Sequence, residues 1–233
     1  MNLEEWIKER YSRHLKLEEF TYEQQLKLYN SKVAIVGVGG LGSAAALTLA
    51  YAGIGSLKLI DPERLELSNL NRQILYYEED IGRLKVEAAR DKIKKINSKV
   101  NVECLAYTLT LENAKDLIRD VDVVIDGLDN FKSRYILADA CWDLGKPFIH
   151  AGVRGFYGQL TVIVPGETRR FKELFPKVID ETGLPIFTAT PIILGILEAV
   201  EAIKILTGIG RPLKNILLIV DLLDQRFYEV SIA

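Results

Sequence analysis

The sequence predicts an α/β fold, a mostly parallel sheet with helices on both faces, extended by antiparallel strands in its C-terminal part. Three observations carry the prediction. Short apolar, β-branched runs alternate with helical stretches as far as His150. The first such run, residues 33–36, feeds directly into a glycine-rich turn. Beyond His150 the alternation gives way to strands separated by turns. Strands covered on both faces read as continuous apolar runs, and strand–helix alternation implies parallel pairing through right-handed crossovers.

Each element follows from its local pattern. Residues 1–30 read as helical, with Trp6, Tyr11 and Leu15 set among charges. Residues 33–36 (Val-Ala-Ile-Val) form the first strand. The Ala/Leu-rich residues 43–52 form a helix that Gly53 and Gly55 close. A second strand, 57–60, ends at Asp61. A charged helix over 83–96 precedes a strand around 100–105, and a helix near 112–119 precedes a strand over 121–125. Residues 131–144 are helical again and 147–150 are a strand. Residues 159–164, 216–221 and 225–230 complete the strands, with Asp224 at a hairpin turn between the last two. The apolar stretch 191–206 carries Glu198, Glu201 and Lys204, too many charges for a membrane span; it reads as a packed helix with one wet face. Residues 165–191 hold four prolines and two glycines and read as a mobile segment crossing over the site. The expected organisation is one domain, 1–233. It comprises a helical segment 1–30, a nucleotide-binding half 31–150, and a remainder 151–233 with the antiparallel strands, the crossing segment and the last helix.

Composition narrows the function. The chain is 48% apolar and 27% charged with a formal net charge of −2, a globular balance with no electrostatic footprint for nucleic acid. Polar, charged residues 1–11 predict no signal peptide. Cys104 and Cys141 are too few for a disulfide framework or a four-cysteine zinc site, and read as buried, reduced thiols. A cytoplasmic setting is the expectation.

Three constellations point to nucleotide chemistry. Gly37-Val38-Gly39-Gly40-Leu41-Gly42 is a G-x-G-x-x-G between strand and helix. Its glycines let the backbone approach a phosphate, and the helix N-terminus adds amide donors and a positive dipole. Asp61 closes the next strand, where an acid can bond a ribose hydroxyl. This much fits NAD or ATP on a Rossmann-like sheet. The second constellation is Asn69-Leu70-Asn71-Arg72-Gln73 with Lys85. A dehydrogenase needs no such cations; a triphosphate does. Arg72 can fork onto phosphate oxygens while Lys85 offers a compact charge, and both would offset charge building on an α-phosphate under carboxylate attack. A solvated helix face is the alternative for Lys85. The third is Asp126-Gly127-Leu128-Asp129-Asn130 after a strand. Asp129 is placed to hold Mg²⁺ against phosphates, Asp126 to brace the loop, and Asn130 either to join the site or to cap the next helix. Arg10-Tyr11-Ser12-Arg13-His14 is, by itself, a basic helix end with a structural histidine.

Together these strings resemble the MoeB/ThiF/HesA family, relatives of the ubiquitin-activating enzymes. They are RYSRH at 10–14, GVGGLGS at 37–43, the run from Asp61 through SNLNRQ to Gln73, IGRLK at 81–85, DGLDNFKSRY at 126–135 and AGVRGFYGQL at 151–160. The order and spacing match over nearly the whole chain. The resemblance implies a homodimer with two ATP sites that adenylates the Gly-Gly carboxylate of a ubiquitin-like or sulfur-carrier protein, giving acyl-adenylate and pyrophosphate. It implies Asp61 on ribose, Asn69, Arg72, Gln73 and Lys85 around the phosphates, Asp129 on Mg²⁺, and Arg13 reaching the neighbouring subunit's ATP. Residues 165–191 would guide the partner's tail. No nucleic-acid or membrane partner is expected. The chain departs from the family at the usual zinc-binding CxxC pairs, where it has Thr168–Phe171 and Leu222–Gln225, so no zinc is expected. Residues 178–190 lack the cysteine many members use for thioester or persulfide chemistry, which places such a step in doubt. The competing readings are an NAD-dependent oxidoreductase, a relative that adenylates a small molecule or tRNA base, and a scaffold that binds a ubiquitin-like protein without catalysis.

Overall fold

Among the described residues, eight strands form one sheet in the order β3-β2-β1-β4-β5-β6-β7-β8. The computed structural model describes residues 2–176 and 183–233. Strands β1 (Lys32–Val36), β2 (Ser56–Ile60), β3 (Asn101–Leu105), β4 (Val123–Asp126) and β5 (Phe148–Arg154) are parallel neighbours. Then β6 (Tyr157–Ile163), β7 (Ile216–Asp221) and β8 (Arg226–Ser231) continue antiparallel. The chain leaves β1 for β2 on one side and returns through β4 on the other. The sheet therefore reverses direction between β1 and β4, the place where open α/β sheets bind ligands at their carboxyl ends.

Alternate residues of each strand face opposite layers. Val33, Ile35, Val123, Ile125, Ile149 and Ala151 pack with helices α3 (Gly40–Ala52), α4 (Lys85–Ile96) and α8 (Ala189–Thr207). Ala34, Val36, Val124 and Phe148 pack on the other face with α5 (Ala114–Ile118) and α6 (Phe131–Asp143). Small residues bring α3 and α8 together: a Cβ at Gly195 would stand 2.2 Å from the Leu41 carbonyl oxygen. The N-terminal segment folds as α1 (Leu3–Arg10), a 3₁₀ turn at His14–Lys16 and α2 (Tyr22–Tyr29). Asn2 caps α1 by accepting from the Glu5 amide at 2.9 Å.

Several boundaries move for local reasons. Helix α3 starts at Gly40, three residues before the predicted start, because the last glycines already take helical geometry. At the fourth strand, Asp122 spends its carboxylate and amide on the Lys32 backbone, and pairing begins at Val123. Strands β5 and β6 run into one hairpin closed at Arg154 and Tyr157. The crossing segment is anchored where it is described. Phe171–Leu174 makes one helical turn, α7, whose Phe171 buries against the α6 layer. Further on, the Gly155 amide donates to the Pro185 carbonyl at 2.6 Å and the Phe187 amide to the Gly155 carbonyl at 3.2 Å. Residues 177–182 lie outside the described residues. No described helix is long and apolar enough to cross a membrane.

Candidate active site

The glycine turn leaves β1 at the reversal point. Gly37 takes a φ of +88°, a conformation side chains oppose, and a Cβ there would stand 2.4 Å from the Gly127 carbonyl oxygen. Conversely, a Cβ at Gly127 would meet the Gly37 oxygen at 2.0 Å. The turn after β1 and the turn after β4 are thus packed backbone on backbone, and Asp129 follows two residues past that contact. Helix α3 begins there. Its first intrahelical bond, Ser43 amide to Gly39 carbonyl at 2.9 Å, leaves the Gly40, Leu41 and Gly42 amides pointing out of the helix N-terminus.

Two buried side chains hold the loop. Asp61 accepts from the Val38 amide at 2.7 Å and the Glu63 amide at 2.8 Å. Tyr76 donates its hydroxyl to the Val38 carbonyl at 2.8 Å. Burial raises the Asp61 carboxyl above its ordinary range, against the opposing pull of Lys85 and the two amides. Each Asp61 oxygen keeps a second lone pair for a ligand hydroxyl.

The turn from Asn69 to Gln73 stands over the glycines. The Asn69 carbonyl accepts from the Arg72 and Gln73 amides at 3.2 and 3.0 Å, and its side chain accepts from the Glu66 amide. Gln73 is buried with its Oε1 unpartnered, and its Nε2 lies 3.6 Å from where a Gly39 Cβ would be. An orphaned buried acceptor beside a phosphate-type loop suits a site built for a ligand. Arg72 packs its Cγ by Gly40 and donates to the Ser68 carbonyl at 3.0 Å. Lys85 is buried rather than on a solvated face, and pairs with Glu63 at 2.5 Å while Glu63 itself stays exposed.

Asp129 is exposed and accepts from the Asn130 amide group at 3.1 Å. The Asn130 oxygen accepts from the Ser133 amide at 2.9 Å, so this residue caps α6. Arg13 does not join the others. It follows Tyr11, whose ring lies against Gly53 at the far end of α3 from the glycine turn. Cys141 is buried and Cys104 half-buried, and burial raises both thiols. Among the described residues no cluster of three His, Cys, Asp or Glu could hold a metal.

The family model for the ThiF family matches residues 11–233. The chain belongs to the ThiF family. It is 37% identical over 241 residues to the sulfur carrier protein adenylyltransferase of Thermus thermophilus, covering 97% of this chain and 89% of that one. It is 39% identical over 231 residues to a Zea mays adenylyltransferase and sulfurtransferase MOCS3-1, covering 96% of this chain and 49% of that protein. The chain therefore spans about half the length of that relative. Among solved structures, E. coli MccB crystallised with ATP matches with a TM-score of 0.82 and 27% identity, over 96% of this chain and 71% of that one. With ThiF-family membership goes the mixed sheet described above.

Sequence reasoning missed Glu63, Tyr76, His150, Gln159 and Glu198. Arg134 sat inside the DGLDNFKSRY string without a role. Glu63, Tyr76 and His150 act through partners more than twenty positions away, which no local spacing reveals.

Proposed function

We propose that this ThiF-family chain adenylates the C-terminal carboxylate of a ubiquitin-like or sulfur-carrier protein ending in Gly-Gly, using ATP and Mg²⁺ in the cytoplasm. One observation carries the reading. The glycine loop and α3 N-terminus lie at the sheet's reversal point, with Arg72 packed by Gly40, Lys85 near Asp61, and Asp129 two residues past the Gly37–Gly127 contact. The names of the relatives support the same chemistry.

In this reading the phosphates lie on the outward amides of Gly40, Leu41 and Gly42, whose donors and helix dipole favour an anion. Asp61 accepts from ribose. Asn69 and Gln73 line the phosphates through their side-chain amide nitrogens, since an ionised phosphate accepts and does not donate. Lys85 exchanges its pairing with exposed Glu63 for a phosphate, and Arg72 swings from the Ser68 carbonyl to do the same. A carrier carboxylate oxygen then bonds to the α-phosphorus as the bond to the β-phosphate oxygen breaks, releasing pyrophosphate. Charge accumulates on the α-phosphate oxygens, where the two cations stabilise it. No protein nucleophile is needed, because positioning the carboxylate supplies much of the acceleration.

Asp129 fits a magnesium ion of the kind held by one carboxylate plus substrate phosphates. When bound, Mg²⁺ would neutralise phosphate charge. Arg13, remote from its own site, serves the neighbouring subunit of a homodimer. Residues 165–191, whose later part is pinned at Gly155 through Pro185 and Phe187, guide the carrier tail in this reading. Neither a nucleic acid nor a membrane takes part.

The test is ATP–pyrophosphate exchange with Mg²⁺ and each Gly-Gly-ended carrier of the source genome. Exchange should require one carrier and fall about 10²–10³-fold in Arg72→Ala and in Asp129→Ala. ATP binding without exchange with any carrier would sink the adenylation reading.

A further inference from the structure

We propose that Asp126, Arg134 and His150 are positioning residues that set the loop 127–130, and with it Asp129, over the phosphate-binding turn. The inference rests on the adenylation reading and adds to it a layer beneath the site.

Leu128, the residue before Asp129, is held at both backbone polar groups. Its amide donates to Asp126 Oδ1 at 3.1 Å, and its carbonyl accepts from Arg134 Nη2 at 2.5 Å. The two clamping side chains are themselves paired, with Arg134 Nε 3.2 Å from Asp126 Oδ2. Arg134 also reaches the Ala151 carbonyl at 3.2 Å, tying the loop to β5. With one bond on each of the two peptide groups that flank it, Leu128 has little freedom to turn, so the Cα of Asp129 inherits that placement. Val38 in the facing loop is held the same way by Asp61 and Tyr76.

His150 completes the device. It is fully buried, and its Nδ1 lies 2.7 Å from Asp126 Oδ2. A carboxylate only accepts, so Nδ1 carries the hydrogen. Nε2 is then an acceptor, and Gln159 Nε2 donates to it at 3.3 Å. Burial pulls the imidazole below its ordinary value despite Asp126, which keeps this single tautomer at neutral pH. The ring sits among Phe131, Phe148, Phe171 and Phe175, at centroid distances of 4.8 to 6.4 Å. An apolar residue would pack there readily. A polar ring in that place makes sense through the bond it gives Asp126, because burying such a group without partners is costly.

The discriminating variants are His150→Phe, which fills the aromatic nest without a donor, and His150→Asn, whose amide can stand where Nδ1 stands. Binding of a non-hydrolysable ATP analogue is measured by calorimetry at stepped Mg²⁺ concentrations, with melting temperature alongside. His150→Phe should raise the Mg²⁺ concentration for half-maximal tight binding about tenfold, the low end of what an outer-shell partner contributes, since His150 acts on Asp129 through Asp126 and Leu128. His150→Asn should recover most of that loss. Arg134→Lys, which keeps the charge but cannot hold Leu128 and Ala151 through one nitrogen and Asp126 through another, should shift the Mg²⁺ dependence in the same direction. An unshifted Mg²⁺ dependence in His150→Phe or Arg134→Lys overturns the proposal, as does an Asn variant no better than Phe. If His150→Phe does not fold, Arg134→Lys and Gln159→Leu decide by the same readout. The two readings fail differently. Wild-type protein that binds the analogue with Mg²⁺ but exchanges with no carrier ends adenylation and leaves the positioning array standing.

Discussion

Glu198 is fully buried on α8 behind the site, its carboxylate faced by the Ala151 amide without a well-formed hydrogen bond. Its acidity is set first by that burial, which raises the carboxyl well above the carboxylate range; Asp126 pushes the same way and Arg134 opposes. An acid with a raised folded pKa takes up a proton on folding. Its contribution is therefore most favourable below the pKa of the unfolded chain, and stability is lost as pH climbs from there toward the folded value. Glu198→Gln replaces the neutral acid with an amide of the same shape that does not titrate. The variant should melt within error of the wild type near pH 4 and at least about 3 °C above it near pH 8. Parallel melting curves across that range would show that Arg134 keeps Glu198 ionised.

At the element scale, the contact between the turns after β1 and β4 is a steric requirement that can be tested separately from backbone conformation. Gly127→Ala places a methyl 2.0 Å from the Gly37 oxygen. It should cost about 1–3 kcal/mol and weaken ATP binding, because the loops must part. Gly145 has a φ of +67° with nothing near its Cβ position. Gly145→Ala should cost about 1 kcal/mol and leave binding unchanged. Denaturant melts and nucleotide titrations on the pair separate the two effects, and equal binding losses would refute the contact argument. The elements themselves were largely readable, because a buried strand such as Val33-Ala34-Ile35-Val36 advertises itself locally. The single turn of α7 was not, since four residues carry no periodicity and Phe171 is ordered by packing against Phe131 and Tyr135. The cations and acids of the site were visible as motif residues. Tyr76 and His150 were not, because each acquires its role from a partner more than twenty positions away. Lys85 was open to a surface reading, and only the packing of the fold around it, with exposed Glu63 as its ion-pair partner, makes it buried.

For the whole molecule, the topology puts everything the proposed chemistry needs at one sheet edge except Arg13. Helix α3 has 13 residues, so its ends lie about 20 Å apart. The glycine turn is at one end, and Gly53, with the Tyr11 ring against it, is at the other. The segment bearing Arg13 is also held in place. The Tyr11 oxygen accepts from Asn97 at 3.0 Å, His14 bonds Gln25 at 3.0 Å, and Arg10 donates to the Ile96 carbonyl at 2.8 Å. An arginine side chain cannot span that distance from a pinned backbone, so Arg13 can serve an ATP site only in a second copy of the chain. This makes complementation the sharp test. Arg13→Ala and Arg72→Ala should each lose exchange activity alone. In a two-fold dimer, mixing them with subunit exchange creates heterodimers in which one site of the two has both arginines. An equal mixture should then recover about a quarter of wild-type exchange, since half the dimers are mixed and each carries one whole site. No recovery, with subunit exchange verified by differently tagged chains, would mean that Arg13 does not act across the dimer.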